Sequence, residues 1–186
     1  MSYSNDLSDF GPSASAGAVL QVQYSELLTN VGTTNTTDTT TGLACNITPS
    51  SATNYIFAEF HVSASNAGST YAVRLNLKVT GGGTDGNVGA GTGVAGSNGT
   101  TMTSGFKCIA GGPLPSGAHG HNRFSGKVRF RCNDSTPNWS SGALTVTVMF
   151  SSNNGSNEAR INHAAGSDNS TYSATSSQLI LTEVAG

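Results

Sequence analysis

Two histidines, His119 and His121, stand two residues apart in Gly-Ala-His-Gly-His-Asn. Residues i and i+2 share a face of a strand, so the pair has the spacing of two ligands to one metal ion. A third donor would have to come from His61, His163 or a carboxylate, and no spacing points to one. The bland reading is a solvated pair in a loop. Gly91-Thr92-Gly93-Val94-Ala95-Gly96 matches G-x-G-x-x-G. A dinucleotide site needs a helix opening there, and the chain instead continues Ser97-Asn98-Gly99-Thr100, a turn. No G-x-S-x-G elbow occurs. Glu59, Glu158 and Glu183 are far apart in sequence, and Asp85 and Asp134 fall in loops, so a glycosidase pair would have to be made in space. These residues predict no enzyme, no cofactor and no resident metal.

The one cationic cluster is Arg123, Lys127, Arg129 and Arg131. Strand periodicity puts Lys127, Arg129 and Arg131 on one face. They read as a solvated face that resists edge pairing, or as a patch that meets an acidic protein surface. Arg74 and Lys78 share a face of another strand and are further candidates for contact with a partner. Trp139, the only tryptophan, lies between two strands. It reads as a cap on the core, or as an exposed platform for a sugar ring.

The elements that must hold these residues are strands. Tyr71 to Thr80 reads YAVRLNLKVT, apolar at every second position, which is strand periodicity. Ala18 to Ser25 puts Leu20, Val22 and Tyr24 on one face. Leu43, Cys45 and Ile47 alternate until Pro49 stops the strand. Asn54 to Ser63 has Ile56, Ala58, Phe60 and Val62 on one face and Tyr55, Phe57 and His61 on the other. A strand apolar on both faces belongs in the middle of a sheet or at a subunit contact. Phe106 to Ala110, Phe124 to Cys132, Leu144 to Phe150, Ala159 to Ile161 and Leu179 to Val184 complete the set. Thr29 to Thr41 reads as a loop or twisted edge segment. Gly81 to Thr101 and Gly111 to Asn122 read as long exposed loops, candidates to carry recognition through Asp85, His119 and His121. The fold class expected is all-β: a single antiparallel β-sandwich, jelly-roll-like, over residues 17–186, with a short N-terminal arm over 1–16. In the arm, Tyr3, Leu7 and Phe10 are the bulky apolar residues and the candidates for docking.

Composition agrees. Of 186 residues, 10% are charged, well below the roughly 25% of ordinary soluble domains, and 24 are glycine. That suits turn-rich β structure or a surface covered by neighbours. A net charge of −2 predicts no nucleic-acid footprint. No apolar run approaches the ~18 residues of a membrane span, and the first residues do not read as a secretory signal. Cys45, Cys108 and Cys132 fall at apolar strand positions and read as buried free thiols, in keeping with synthesis in a reducing cytoplasm. The N-x-S/T sequons, as at Asn35, Asn46 and Asn138, follow from composition.

Three stretches carry a family resemblance. Gly17-Ala-Val-Leu-Gln-Val-Gln-Tyr-Ser-Glu26 looks like a Gly-x-Val-Leu-Gln-Val opening, and Thr41-Gly-Leu-Ala-Cys-Asn-Ile-Thr-Pro-Ser-Ser51 is similar to a "TGL…ITPSS" segment. Gln178-Leu-Ile-Leu-Thr-Glu-Val-Ala-Gly186 is similar to a closing "…LTLMEIAG". In that order and spacing the chain resembles a recurring module of tailed-phage virion proteins, abundant in phages of marine and freshwater bacteria. The resemblance covers Gly17 to Gly186, about nine-tenths of the chain. It implies a β-sandwich in a homotrimeric virion component, assembled in the host cytoplasm, with the major capsid protein or another virion protein as partner. Such modules end tail fibres or stand alone on the head. This chain shows no shaft, coiled coil or collagen-like stretch, so the expectation is a capsid decoration or cement protein. The alternative is a short tail fibre or fibre-tip protein binding a host surface glycan or protein through its loops, with no membrane insertion.

Overall fold

The computed structural model describes residues 15–66, 72–83, 85–88, 110–113, 122–134, 137–153, 155–163 and 175–186. These form eleven strands, with no helix among the described residues. They are β1 (Val19–Leu27), β2 (Val31–Thr33), β3 (Thr39–Ile47), β4 (Tyr55–Asn66), β5 (Ala72–Thr80), β6 (Gly86–Val88), β7 (Ala110–Pro113), β8 (Asn122–Arg131), β9 (Leu144–Ser152), β10 (Ala159–Ile161) and β11 (Ser177–Val184).

Every strand pairing is antiparallel, and the strands sort into two sheets. In the first, β1 pairs β11, β11 pairs β4, and β8 pairs β4 from its other side. The short strands β2 and β10 continue the lines of β1 and β11 and pair with each other, β10 also pairing β4. In the second, β3 pairs β9 and β9 pairs β5, while β7 and β6 share the far edge of β5. With the short strands folded into their neighbours, the orders are β1-β11-β4-β8 and β3-β9-β5-β7/β6. The chain crosses repeatedly between the two sheets, which is the double Greek-key path of a jelly roll. The β-sandwich expected from periodicity is the fold.

The core is the set of inward positions on both sheets. Val73, Leu75, Leu77 and Val79 of β5, Ile56, Ala58, Phe60 and Val62 of β4, and Leu144, Val146, Val148 and Phe150 of β9 are all fully buried. Alternation puts one apolar side chain inward every second residue, and two such faces closing on each other exclude water. Cys45 and Cys132 are free thiols in this core. β4 has paired strands on both sides, which suits its two apolar faces.

The structure adds detail at three segments. Val22 and Tyr24 share a face of β1, and it is the outer one, where they are 57% and 55% exposed; a register shift between Val19 and Gln21 takes Leu20 out of that alternation and sets Val19 opposite Val184. The reason is register. Gln21 lies opposite Glu183, and both point inward, so the neighbouring apolar residues point out. The Thr29–Thr41 segment contains β2 and the start of β3 rather than loop alone. The Phe106–Ala110 strand falls on residues 106–109, outside the described set, and Ala110 opens β7.

Candidate interaction face

The outer face of the first sheet gathers cationic, aromatic and aliphatic side chains. Its geometry follows from strand register. Opposite Tyr55, Phe57, Glu59 and His61 on β4 stand Arg131, Arg129, Lys127 and Ser125 on β8. Opposite Tyr55, Phe57 and Glu59 on the other side stand Val184, Thr182 and Ile180 of β11. Beyond these come Val19, Val22 and Tyr24 of β1. The face is thus graded, from cations at the β8 edge, through aromatic rings on β4, to aliphatic and tyrosine side chains at the β1 edge.

The cationic half is pre-arranged. The Arg129 and Arg131 guanidinium carbons sit 4.8 Å and 4.6 Å from the centre of the Tyr55 ring. Lys127 Nζ lies 5.6 Å from the Phe57 ring centre. Each such contact is worth about 0.5–1 kcal/mol at an exposed site. A stacked guanidinium keeps its edge N–H groups free to meet a carboxylate in a two-bond fork. Glu59 is the counter-charge inside the face. Its two oxygens lie 3.3 Å from Lys127 Nζ and 3.3 Å from His61 Nε2. The other His61 nitrogen, Nδ1, is 2.8 Å from Ser125 Oγ. At partly exposed positions these pairs contribute at most about 1 kcal/mol each. They hold the side chains in place and leave the face cationic.

A second polar cluster is buried, and its role is architectural. Glu183 is fully buried. Its Oε1 accepts from the Ser50 backbone N–H at 2.7 Å, the Ser50 hydroxyl at 2.9 Å and the Asn54 amide at 2.6 Å. Its Oε2 accepts from the Gln21 amide. Burial pushes the carboxyl pKa up, but the hydrogen bonds from Gln21, Asn54 and Ser50 outweigh it and hold the group below the usual carboxylate value. Gln21, Ser50 and Glu183 come one each from the three stretches that carry the resemblance. Those stretches therefore meet at one point, a carboxylate that ties β1 and the β3–β4 turn to β11.

The other predicted residues separate. Arg74 is 3% exposed, and its Nη2 donates to the Ser152 carbonyl at 2.8 Å. The β2–β3 loop lies over this part of the second sheet. The Asp38 carboxylate accepts from Asn76 at 3.0 Å and 2.9 Å and from Asn87 at 3.2 Å, and the Asn35 carbonyl accepts from Ser152 N–H at 2.8 Å. The cover over Arg74 therefore comes from its own chain, and Lys78 beside it is half-buried. Asp85 accepts from the Gly81 N–H at 3.0 Å and stays exposed. Trp139 packs against the core, with its indole N–H donating to the Gly142 carbonyl at 2.8 Å. Tyr3, Leu7, Phe10, His119 and His121 lie outside the described residues. Among the described residues no three His, Cys, Asp or Glu side chains gather around a common point.

Sequence reasoning found the cations but missed the rings beneath them. Tyr55 and Phe57 were legible only as the second apolar face of β4. The strand that would align with them could not be read from either segment alone. No family model matches the chain, and no curated protein matches it.

Proposed function

We propose that the protein is a structural component of a tailed-phage virion, a decoration or cement protein that binds the head surface as a trimer and performs no catalysis. Its docking surface is the cation–aromatic half of the first sheet's outer face. The observation that carries this reading is the Tyr55 ring with Arg129 and Arg131 both stacked within 4.8 Å of its centre. Two guanidinium groups are gathered over one ring on the outer face of the sheet. Such a surface fits an acidic protein partner presenting carboxylates, here a capsid protein. Three copies bound to one lattice would add avidity to modest single contacts. The three motifs behind the virion resemblance support the same setting, since they converge on an architectural carboxylate rather than on reactive chemistry.

The tail-tip reading has less support. Trp139, its candidate sugar platform, spends its N–H inside the chain and its ring on the core.

The test is binding of purified protein to heads that lack it, followed by co-sedimentation. Wild-type protein should saturate a fixed number of sites, and an Arg129→Glu/Arg131→Glu double variant should bind at least tenfold more weakly while remaining folded. Equal occupancy by the double variant rules out this docking surface. Binding to host cells in place of heads favours the adsorption reading.

A further inference from the structure

Glu59 divides its carboxylate between two partners of different kind. Its Oε2 lies 3.3 Å from the Lys127 ammonium, and its Oε1 lies 3.3 Å from His61 Nε2. Histidine is the side chain whose charge changes between pH 5 and 8. Register sets up the arrangement, since Glu59 stands opposite Lys127 and His61 opposite Ser125 on adjacent strands. The site is open to protons, with the His61 and Glu59 side chains 34% and 39% exposed. The bonds around His61 also serve both charge states. In the neutral ring Nε2–H points at Glu59, and Nδ1 accepts from the Ser125 hydroxyl 2.8 Å away. In the charged ring both nitrogens donate. A serine hydroxyl carries one donor and two lone pairs, so Ser125 turns to accept and no bond is lost.

We infer that His61 and Glu59 form a proton switch within the cationic half of the face: protonated His61 draws Glu59 away from Lys127 and raises the positive charge that the face offers to a partner. While His61 is neutral, Glu59 offsets Lys127. When His61 takes a proton, one carboxylate serves two cations, and the face gains one positive charge. The other groups around His61 leave Glu59 as its carboxylate among the described residues. On β8, Lys127 and the exposed Arg123 flank Ser125 on the same face and oppose the proton. On β11 the neutral Gln178 stands opposite His61, and on β1 Glu26 stands opposite Gln178. Glu26 is two strand spacings away, about 10 Å, which is about one Debye length at 0.1 M salt. An acidic partner binds the charged form of the face more tightly, and by reciprocity its binding promotes proton uptake. Affinity for such a partner therefore rises as pH falls through the histidine range. This consequence for binding rests on the docking reading above, whereas the movement of Glu59 is a property of the free protein.

The experiment has two readouts on the full chain. The first is nuclear magnetic resonance of the free protein, following the His61 ring Cε1–H and the Lys127 Cε–H signals from pH 8 to pH 5.5. Both should move in one shared step, and in His61→Gln the Lys127 step should vanish. A Lys127 signal that does not move with His61, or a step that persists in His61→Gln, overturns the inference. The second is co-sedimentation with heads that lack the protein. Wild type should bind about threefold more tightly at pH 5.5 than at pH 8, the scale of one added surface ion pair, and the ratio between the two pH values should fall to about one in His61→Gln. An equal ratio in wild type and variant overturns the switch as well. The two readings fail separately. Heads bound equally at both pH values remove the switch and leave the Arg129/Arg131 surface standing. A shared step at His61 and Lys127 without head binding removes the docking reading and leaves the switch.

Discussion

Asn54 donates to Glu183 at 2.6 Å where both side chains are buried. The bond links the residue just before β4 to the penultimate residue of β11. A buried charge is costly unless its lone pairs are met, and here both oxygens are met by the chain itself. The carboxylate is thus a rivet at one end of the sandwich. Replacing it with glutamine puts an N–H₂ among groups that all donate. Glu183→Gln should destabilise the protein by about 3 kcal/mol, in the range for breaking a buried charged network, measured by urea unfolding.

The same residue predicts an acid limit. Its folded pKa lies below the ordinary carboxyl value of 4.5, so across that interval the unfolded chain binds the proton and the folded chain does not. Stability then rises with pH. The contribution is full above the unfolded pKa and is lost as pH falls through the lower folded value. Unfolding midpoints recorded from pH 6 downward should fall more steeply for wild type than for Glu183→Gln. Parallel curves would show that Glu183 does not supply the acid sensitivity.

Cys132 should be inert while the protein is folded. Desolvation by burial, reinforced by the nearby negative charges of Glu183 and Asp134, pushes its thiol up to about 12. Only the thiolate reacts with alkylating agents. Iodoacetamide at pH 8 followed by peptide mapping should leave Cys132 and the buried Cys45 unmodified in buffer and label both in urea.

Gly82 should resist substitution. Its φ is +72°, and a Cβ there would sit 2.5 Å from Trp139 Cδ1. The Ser140 N–H also donates to the Gly82 carbonyl at 2.7 Å, so the loop cannot simply withdraw. Gly82→Ala should cost about 1–3 kcal/mol, as strained backbone positions do, and should shift the emission of the only tryptophan. An unchanged spectrum would mean that the Trp139 cap is not packed against Gly82.

Asp38→Ala tests the cover over the second sheet. Removing the carboxylate leaves the Asn76 amide, on a side chain only 5% exposed, without its acceptor. A loss of about 1–2 kcal/mol is expected for unsatisfied buried donors. Amide exchange in the β2–β3 loop should accelerate, while the core of β9 stays protected.

The sequence by itself determined the strands and their inward faces. Val73, Leu75, Leu77 and Val79 are buried because alternation with period two is a property of the chain alone, and the same holds for Ile56 to Val62 and Leu144 to Phe150. From those faces a two-sheet sandwich follows, since each needs a cover. It also placed Lys127, Arg129 and Arg131 together on one side of one strand. Only the tertiary structure decided what lies beside them. Tyr55 stands opposite Arg131, and Gln21 opposite Glu183, because of pairings between segments far apart in sequence. Register across a ladder is set by long-range contacts that no local pattern encodes. The same register turned Val22 and Tyr24 outward, although their alternation alone suits either face. The fold likewise buried Arg74, whose Nη2 donates to the Ser152 carbonyl, a residue whose polar alternate position predicts an outer face but not what covers it.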